Sequence, residues 1–144
     1  MILDERNEFC DSATVAYAAG NRLIGDVIDL GATPTLRDIG SGQPIFLVIQ
    51  TDVAAAGAGN LTFDLRSDSE ATVNDSPTTH FTTGAEAYTV WTAGRSVVVS
   101  LPQGVTYERY LGIWLTTSGT TTGGTVNVFL TCDPAKYTSY DNGI

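Results

Sequence analysis

The sequence predicts an all-β protein, a jelly-roll β-sandwich of about eight antiparallel strands. Three observations carry that prediction. Thr and Gly are abundant while Lys and Met are nearly absent, a balance that suits strands and turns. Apolar residues recur in short runs or at every second position, with no sustained helical period. Turn signals return at roughly the 8–12-residue spacing expected of a sandwich or barrel. Long connections between sheets favour a jelly roll; an immunoglobulin-like sandwich is the alternative. The 144 residues suffice for one domain with a proper core. The expected layout is a single domain over 1–144, with an N-terminal arm over about 1–10 and a C-terminal tail over about 134–144.

Met1 to Phe9 alternates poorly and carries Asp4, Glu5, Arg6 and Glu8, so it reads as an arm. Ser12 to Tyr17 follows as a first strand, with Ala13, Val15 and Tyr17 on one face. Arg22 to Leu30 is the second, with Ile28 and Leu30 inward; Gly31 to Pro34 stops it, since proline cannot extend a ladder. Asp38 to Pro44 is a turn-rich connection. The third strand is Ile45-Phe46-Leu47-Val48-Ile49, continuing to about Val53. It is too short for a helix and apolar at every position, as a strand covered on both faces would be.

Ala54 to Asn60 is a tight connection. Leu61 to Arg66 alternates cleanly, with one face buried and one wet. Ser67 to Thr79 is a polar loop, and in the weakly patterned stretch from Phe81 the best strand is Tyr88 to Trp91. Ser96 to Leu101 is a strong strand, closed by Pro102-Gln103-Gly104. Tyr110 to Thr117 is another, with Leu111, Ile113 and Leu115 on one face. Ser118 to Gly124 is a turn, and Thr125 to Cys132 is the last strand, ended by Asp133-Pro134.

The net charge of −9 argues against nucleic acid and against an anionic membrane surface, both of which would repel it. No apolar run approaches the ~20 residues of a membrane span. The N-terminus lacks the basic start and apolar segment of a secretory signal. Cys10 and Cys132 are therefore expected to be reduced. Six of the seven basic residues are Arg, a residue favoured in interfaces for its planar fork, although host bias explains the count equally well.

Catalytic signals are few. His80 is the only histidine, which excludes a multi-histidine metal centre. A reactive histidine needs a nucleophile and an orienting group in reach, and sequence spacing supplies neither. No G-x-S-x-G elbow is present. Gly40-Ser41-Gly42 lacks the lysine and helix of a phosphate loop. Asp68, Glu70 and Asp75 share one loop, but their spacing fits no calcium-loop pattern. No catalytic residue, cofactor or metal is expected.

Several stretches, in order, resemble a known family. They are Met1-Ile2-Leu3-Asp4 leading to Phe9-Cys10-Asp11-Ser12-Ala13, then Val27-Ile28-Asp29-Leu30-Gly31, then Asp38-Ile39-Gly40-Ser41-Gly42-Gln43-Pro44. Leu101-Pro102-Gln103-Gly104 and Arg109-Tyr110-Leu111 complete the set. In order and spacing the chain resembles the cement (decoration) proteins of tailed-phage capsids, in particular the Bordetella-phage cement family. Cys10 departs from the small polar residue expected there. The resemblance implies a jelly roll without catalysis, made in the host cytoplasm. It implies an oligomer, dimer or trimer, bound to the major capsid protein on the outer surface of the virion. A carbohydrate- or receptor-binding jelly roll of a tail or baseplate is the other class to weigh, and a small hydrolase using His80 or a carboxylate pair is a third.

One expectation joins pattern to function. If the third, sixth and last strands share a sheet, then Ile45, Leu47, Ile49, Val97, Val99, Val126, Val128 and Leu130 face the core. Their alternates Phe46, Val48, Val98 and Phe129 face out, and all four are apolar. These four are the candidate interface residues, unless the N-terminal arm or the Ser67–Thr79 loop folds over them.

Overall fold

The computed structural model describes residues 5–32, 39 and 42–137. Nine strands appear in chain order: β1 Glu8–Thr14, β2 Gly20–Asp29, β3 Phe46–Gly57, β4 Asn60–Asp68, β5 Thr78–Thr82, β6 Glu86–Ala87, β7 Ser96–Ser100, β8 Tyr110–Thr117 and β9 Thr121–Thr131. Short 3₁₀ turns occupy Glu5–Asn7, Tyr88–Val90 and Pro134–Tyr137.

The strands form two antiparallel sheets. The first runs β1-β9-β3-β7 and the second β2-β8-β4-β5, with the two-residue β6 also paired to β4. With β6 set aside, consecutive strands change sheet at every step except β4 to β5. That interleaving is the double Greek key of a jelly roll, so the expected fold class is the observed one. The two inner faces close on one core. Leu47, Ile49, Val126, Val128 and Leu130 come from the first sheet, and Ile24, Leu61, Phe63, Leu65, Leu111, Ile113 and Leu115 from the second. Trp91 plugs one end, its ring 4.7 Å from that of Phe63.

Most expected strands stand where the pattern placed them; β8 matches residue for residue. The differences have identifiable causes. β1 begins at Glu8, within the stretch expected to be an arm, and Phe9 and Cys10 are core residues. Bulges interrupt β1 between Glu8 and Cys10 and again before Ala13, so its residues do not alternate regularly although the strand is paired to β9. Tyr88–Trp91 is not a strand. It is a 3₁₀ turn ending in buried Trp91, and the pairing goes instead to β5 and β6, which carry little apolar signal. β3 and β9 are longer than expected because Ala54–Gly57 and Thr121–Gly124 extend their ladder past the apolar runs. The expected turns at Pro34 and Gly40-Ser41 lie outside the described residues.

One glycine sets how closely the two sheets meet at this corner. Gly25 has φ +67, and a Cβ there would strike the Phe9 carbonyl oxygen and stand 2.6 Å from the Cys10 Cβ. Only a residue without a side chain lets β2 cross β1 so tightly.

Candidate functional site

β3 lies between β9 and β7 without a register shift over its apolar run. The pairings Val48↔Val98 and Val48↔Phe129 set three of the four candidate interface residues in one cross-strand row on the outer face. Glu8 of β1 continues the row, opposite Phe129. The fourth candidate, Phe46, stands two positions along β3, between Ser100 and Thr131. Strand alternation therefore brings all four together, as the pattern required.

Their exposure is unequal. Phe129 and Val48 are 0% and 1% exposed, yet neither belongs to the inter-sheet core. They are buried on the outer side of the sheet. The 3₁₀ turn Glu5–Asn7 packs against β9 on the way into β1. Phe46 is half-buried. Val98, on the edge strand, is 45% exposed. Two of the four are thus closed off within a single chain, and the row reaches solvent at Val98 and Phe46.

Towards the far end of β3 the same face becomes polar. Asp52 accepts from the Ser12 hydroxyl at 3.2 Å and from the Thr125 hydroxyl at 3.3 Å, and Asn127 accepts from the Ser12 amide at 2.6 Å. At the β1 edge Glu8 has its carboxyl raised above the ordinary value. Partial desolvation is the main cause, with the charges of Asp11 and Glu5 adding to it. This edge borders an open cleft of about 660 Å³ between β1 and β2, lined by Glu5, Glu8, Asp11, Asp26 and Asp29 among others.

The outer face of the second sheet is built differently. Its central row is Leu23–Trp114–Asp64–Thr82. Arg66 bridges to Asp64 at 2.7 Å and stacks over Trp114 at 5.0 Å. The acidic loop after β4 folds over this sheet, not over the candidate row. Its Val73 is fully buried and packs beside Leu23 and Val27 above Gly112, where no side chain competes for the space. Val73 sits at φ 51, an unfavourable place for a β-branched residue that its burial compensates. Asp68 pins the loop. It accepts from the Asp75 amide at 3.0 Å and the Glu70 amide at 3.3 Å. Desolvation works to raise its carboxyl, but the backbone donors of Glu70, Asp75, Ser76 and Ser69 outweigh it and hold the value below the usual range. Asp68 is thus committed to its own loop. Among the described residues no group of three or more His, Cys, Asp or Glu is placed to hold a metal ion.

The structure supplies a partner for His80 that sequence spacing hid. Its Nε2 lies 2.7 Å from the Ser67 hydroxyl, and its ring stacks on Tyr107 at 4.3 Å. Desolvation lowers the His80 value, with Glu108 opposing. A serine beside a histidine invites a nucleophilic reading. Ser67 is fully buried, however, and a hydroxyl closed to solvent cannot meet a substrate in this conformation. The pair ties β5 to β4 where a bulge separates Leu65 from Arg66 in their register.

Four of the described arginines are engaged within the chain. Arg22, Arg66, Arg95 and Arg109 each lie over an aromatic ring, those of Tyr17, Trp114, Trp91 and Tyr110. Arg109 also makes a two-pronged bridge to Asp29, and one Arg95 nitrogen donates to both carboxylate oxygens of Glu86. A count of arginines could not have told these intramolecular clamps from interface residues. Cys10 is buried, its thiol pushed up to about 12 mainly by desolvation, and Cys132 is exposed. Cys10 pairs opposite Val128; Cys132 stands four residues further along, roughly 13 Å away at about 3.3 Å per residue. That is beyond disulfide reach.

Fold and face together define a class: an antiparallel jelly-roll sandwich with one self-closed polar outer face and one partly covered apolar one. More narrowly, the chain belongs to the Bbp16 family, whose profile matches residues 9–130. That is a Bordetella-phage protein family, so the chain is a Bordetella-phage-like protein. No curated protein matches it.

Proposed function

We propose that this protein is a structural component of the virion that binds the outer surface of a tailed-phage capsid and cements contacts between major capsid protein subunits. The observation that carries this reading is the outer face of the β1-β9-β3-β7 sheet. An apolar row there reaches solvent at Val98 and Phe46, on a sandwich whose other outer face is closed by its own loop and ion pair. Membership of a phage family supports the virion setting. The charge of −9 suits a protein that stays off the packaged genome. The role needs no catalysis, cofactor or metal. A sugar-binding jelly roll would present open aromatic faces. Here Trp91 is buried and Trp114 is half-buried under Arg66, which weighs against that reading.

The test uses capsids. Ligand present at ~100 times its Kd contributes about 2.7 kcal/mol per site to the state it binds. Capsids stripped of the protein should release DNA at a lower temperature on heating, and adding the protein back should restore the higher one. An unchanged release temperature at full occupancy refutes the cementing role.

A further inference from the structure

We propose that two copies of this chain pair edge to edge through β7, making one continuous sheet across a two-fold axis centred on Val98. The inference deepens the cementing role and rests on it for its purpose, though the pairing itself is measurable without capsids.

Sheet edges are normally protected by bulges, charges or proline. Among the described edge strands, β1 is bulged twice and carries Glu8 and Asp11. β2 is bulged between Ile24 and Ile28 and carries Arg22, Asp26 and Asp29. β5 is bulged too, and β6 has only two residues. β7 has none of these devices. It is Ser96-Val97-Val98-Val99-Ser100, uncharged and in unbroken register with β3.

Its free hydrogen-bonding groups can be assigned. Leu101 donates to the Ile45 carbonyl and Thr51 donates to the Arg95 carbonyl, both at 2.8 Å. Bonded pairs alternate along an antiparallel ladder, so the odd-numbered residues of β7 face β3. Ser96, Val98 and Ser100 direct their N–H and C=O outward, and all three are exposed.

The occupant follows from the sequence of the strand. Ser-Val-Val-Val-Ser reads the same in both directions, and a two-fold interface must be self-complementary. Antiparallel pairing about Val98 sets Val98 against its own copy and Ser96 against Ser100, each pair exchanging two hydrogen bonds. It also sets the exposed Val98 of each copy beside the other, so the rows Phe129–Val48–Val98 of the two subunits join into one apolar stripe on the outer face. No charge lies on β7 to resist the approach, and the nearest, Arg95, is bridged to Glu86 at 2.8 Å.

Sedimentation equilibrium of the purified chain tests this. The parent should dimerise. Val98→Pro removes only N–H groups that the internal ladder does not use, and proline is tolerated on an edge with that side facing solvent. It should keep the parent melting temperature at low concentration and weaken the dimer about 5- to 150-fold, from two lost hydrogen bonds per dimer. Val98→Glu places like charges opposite one another and should weaken it as well, whereas Val98→Thr should dimerise like the parent. A parent that stays monomeric at every concentration overturns the proposal, as does a dimer indifferent to both Val98→Pro and Val98→Glu. A strand of the capsid protein as the true occupant would appear as a monomer in solution that loses capsid binding on Val98→Pro. That outcome also overturns the pairing of two copies while leaving the cementing role intact.

Discussion

The two outer faces of this sandwich start from the same rule and end differently. Each sheet alternates, so each sends every second residue outward. On the β2-β8-β4-β5 side those residues are closed from within the chain: Arg66 covers Trp114 and neutralises Asp64, and the loop anchored by Asp68 drops Val73 onto the gap above Gly112. On the β1-β9-β3-β7 side the central residues Val48 and Phe129 are buried, but closure stops short of the edge strand and leaves Val98 in solvent. A face whose apolar residues are covered by its own chain is structural, whereas an apolar row that runs from burial into solvent has a use for a partner. The two carboxylates that bound these faces make the same point. Asp68 is surrounded by backbone donors and its value falls; Glu8 is partly desolvated beside two other acids and its value rises.

The comparison breaks most sharply along the apolar row itself. Phe129→Asp places a charge where exposure is 0%. It should cost several kcal/mol of the monomer's own stability, since a buried unpaired charge adds to the lost packing. Val98→Asp, in the same row, should change monomer stability by no more than about 0.5 kcal/mol yet abolish capsid binding. Thermal melting of both variants, with a capsid-binding assay on Val98→Asp, checks the pair. Equal melting temperatures for the two would mean that the row is uniformly exposed.

A smaller effect should come from the finished face. Asp68→Asn keeps the shape but weakens acceptance from the loop amides, and should destabilise by about 1–3 kcal/mol at neutral pH. The sign with pH follows from the lowered carboxyl. Its contribution is fully present above the ordinary carboxylate value and is lost as pH falls through the lower folded value. The variant and parent should therefore converge in strong acid. His80, held below its usual 6.5 mainly by desolvation, adds a loss of the same sign that begins at milder acidity. Urea midpoints across pH measure both; a gap between parent and Asp68→Asn that does not close in acid would show that the carboxylate's charge is not what anchors the loop.

The smallest effect should have the opposite sign. The raised carboxyl of Glu8 favours folding below its ordinary value of 4.5 and loses that contribution as pH rises through the folded value. Glu8→Gln should leave acid stability unchanged and raise it slightly at neutral pH, by relieving repulsion from Asp11 and Glu5. The same urea series detects it. A loss of stability at neutral pH would mean that the charged Glu8 carries an interaction the acidic edge needs.

What the sequence determined by itself is the set of strands with a strong apolar pattern, the edge strands β2 and β7 among them. In β8 and in the run Phe46–Ile49 the apolar pattern is imposed by the core, so pattern and structure coincide, and the sharing of one sheet by β3, β7 and β9 is the one the jelly-roll assignment required. The outward direction of Phe46, Val48, Val98 and Phe129 was equally legible, because a pleated strand offers only two sides. Only the tertiary structure decided the rest. β5 and β6 are short edge pairings held by backbone bonds, which leave little apolar signature. Ser67 and His80 meet across a bulge that no spacing rule encodes. Val98 and Phe129 have the same pattern and opposite exposure, because the cover over Phe129 does not reach the edge strand. A strand's own sequence records which side each residue faces; what covers that side depends on chain that is distant in sequence.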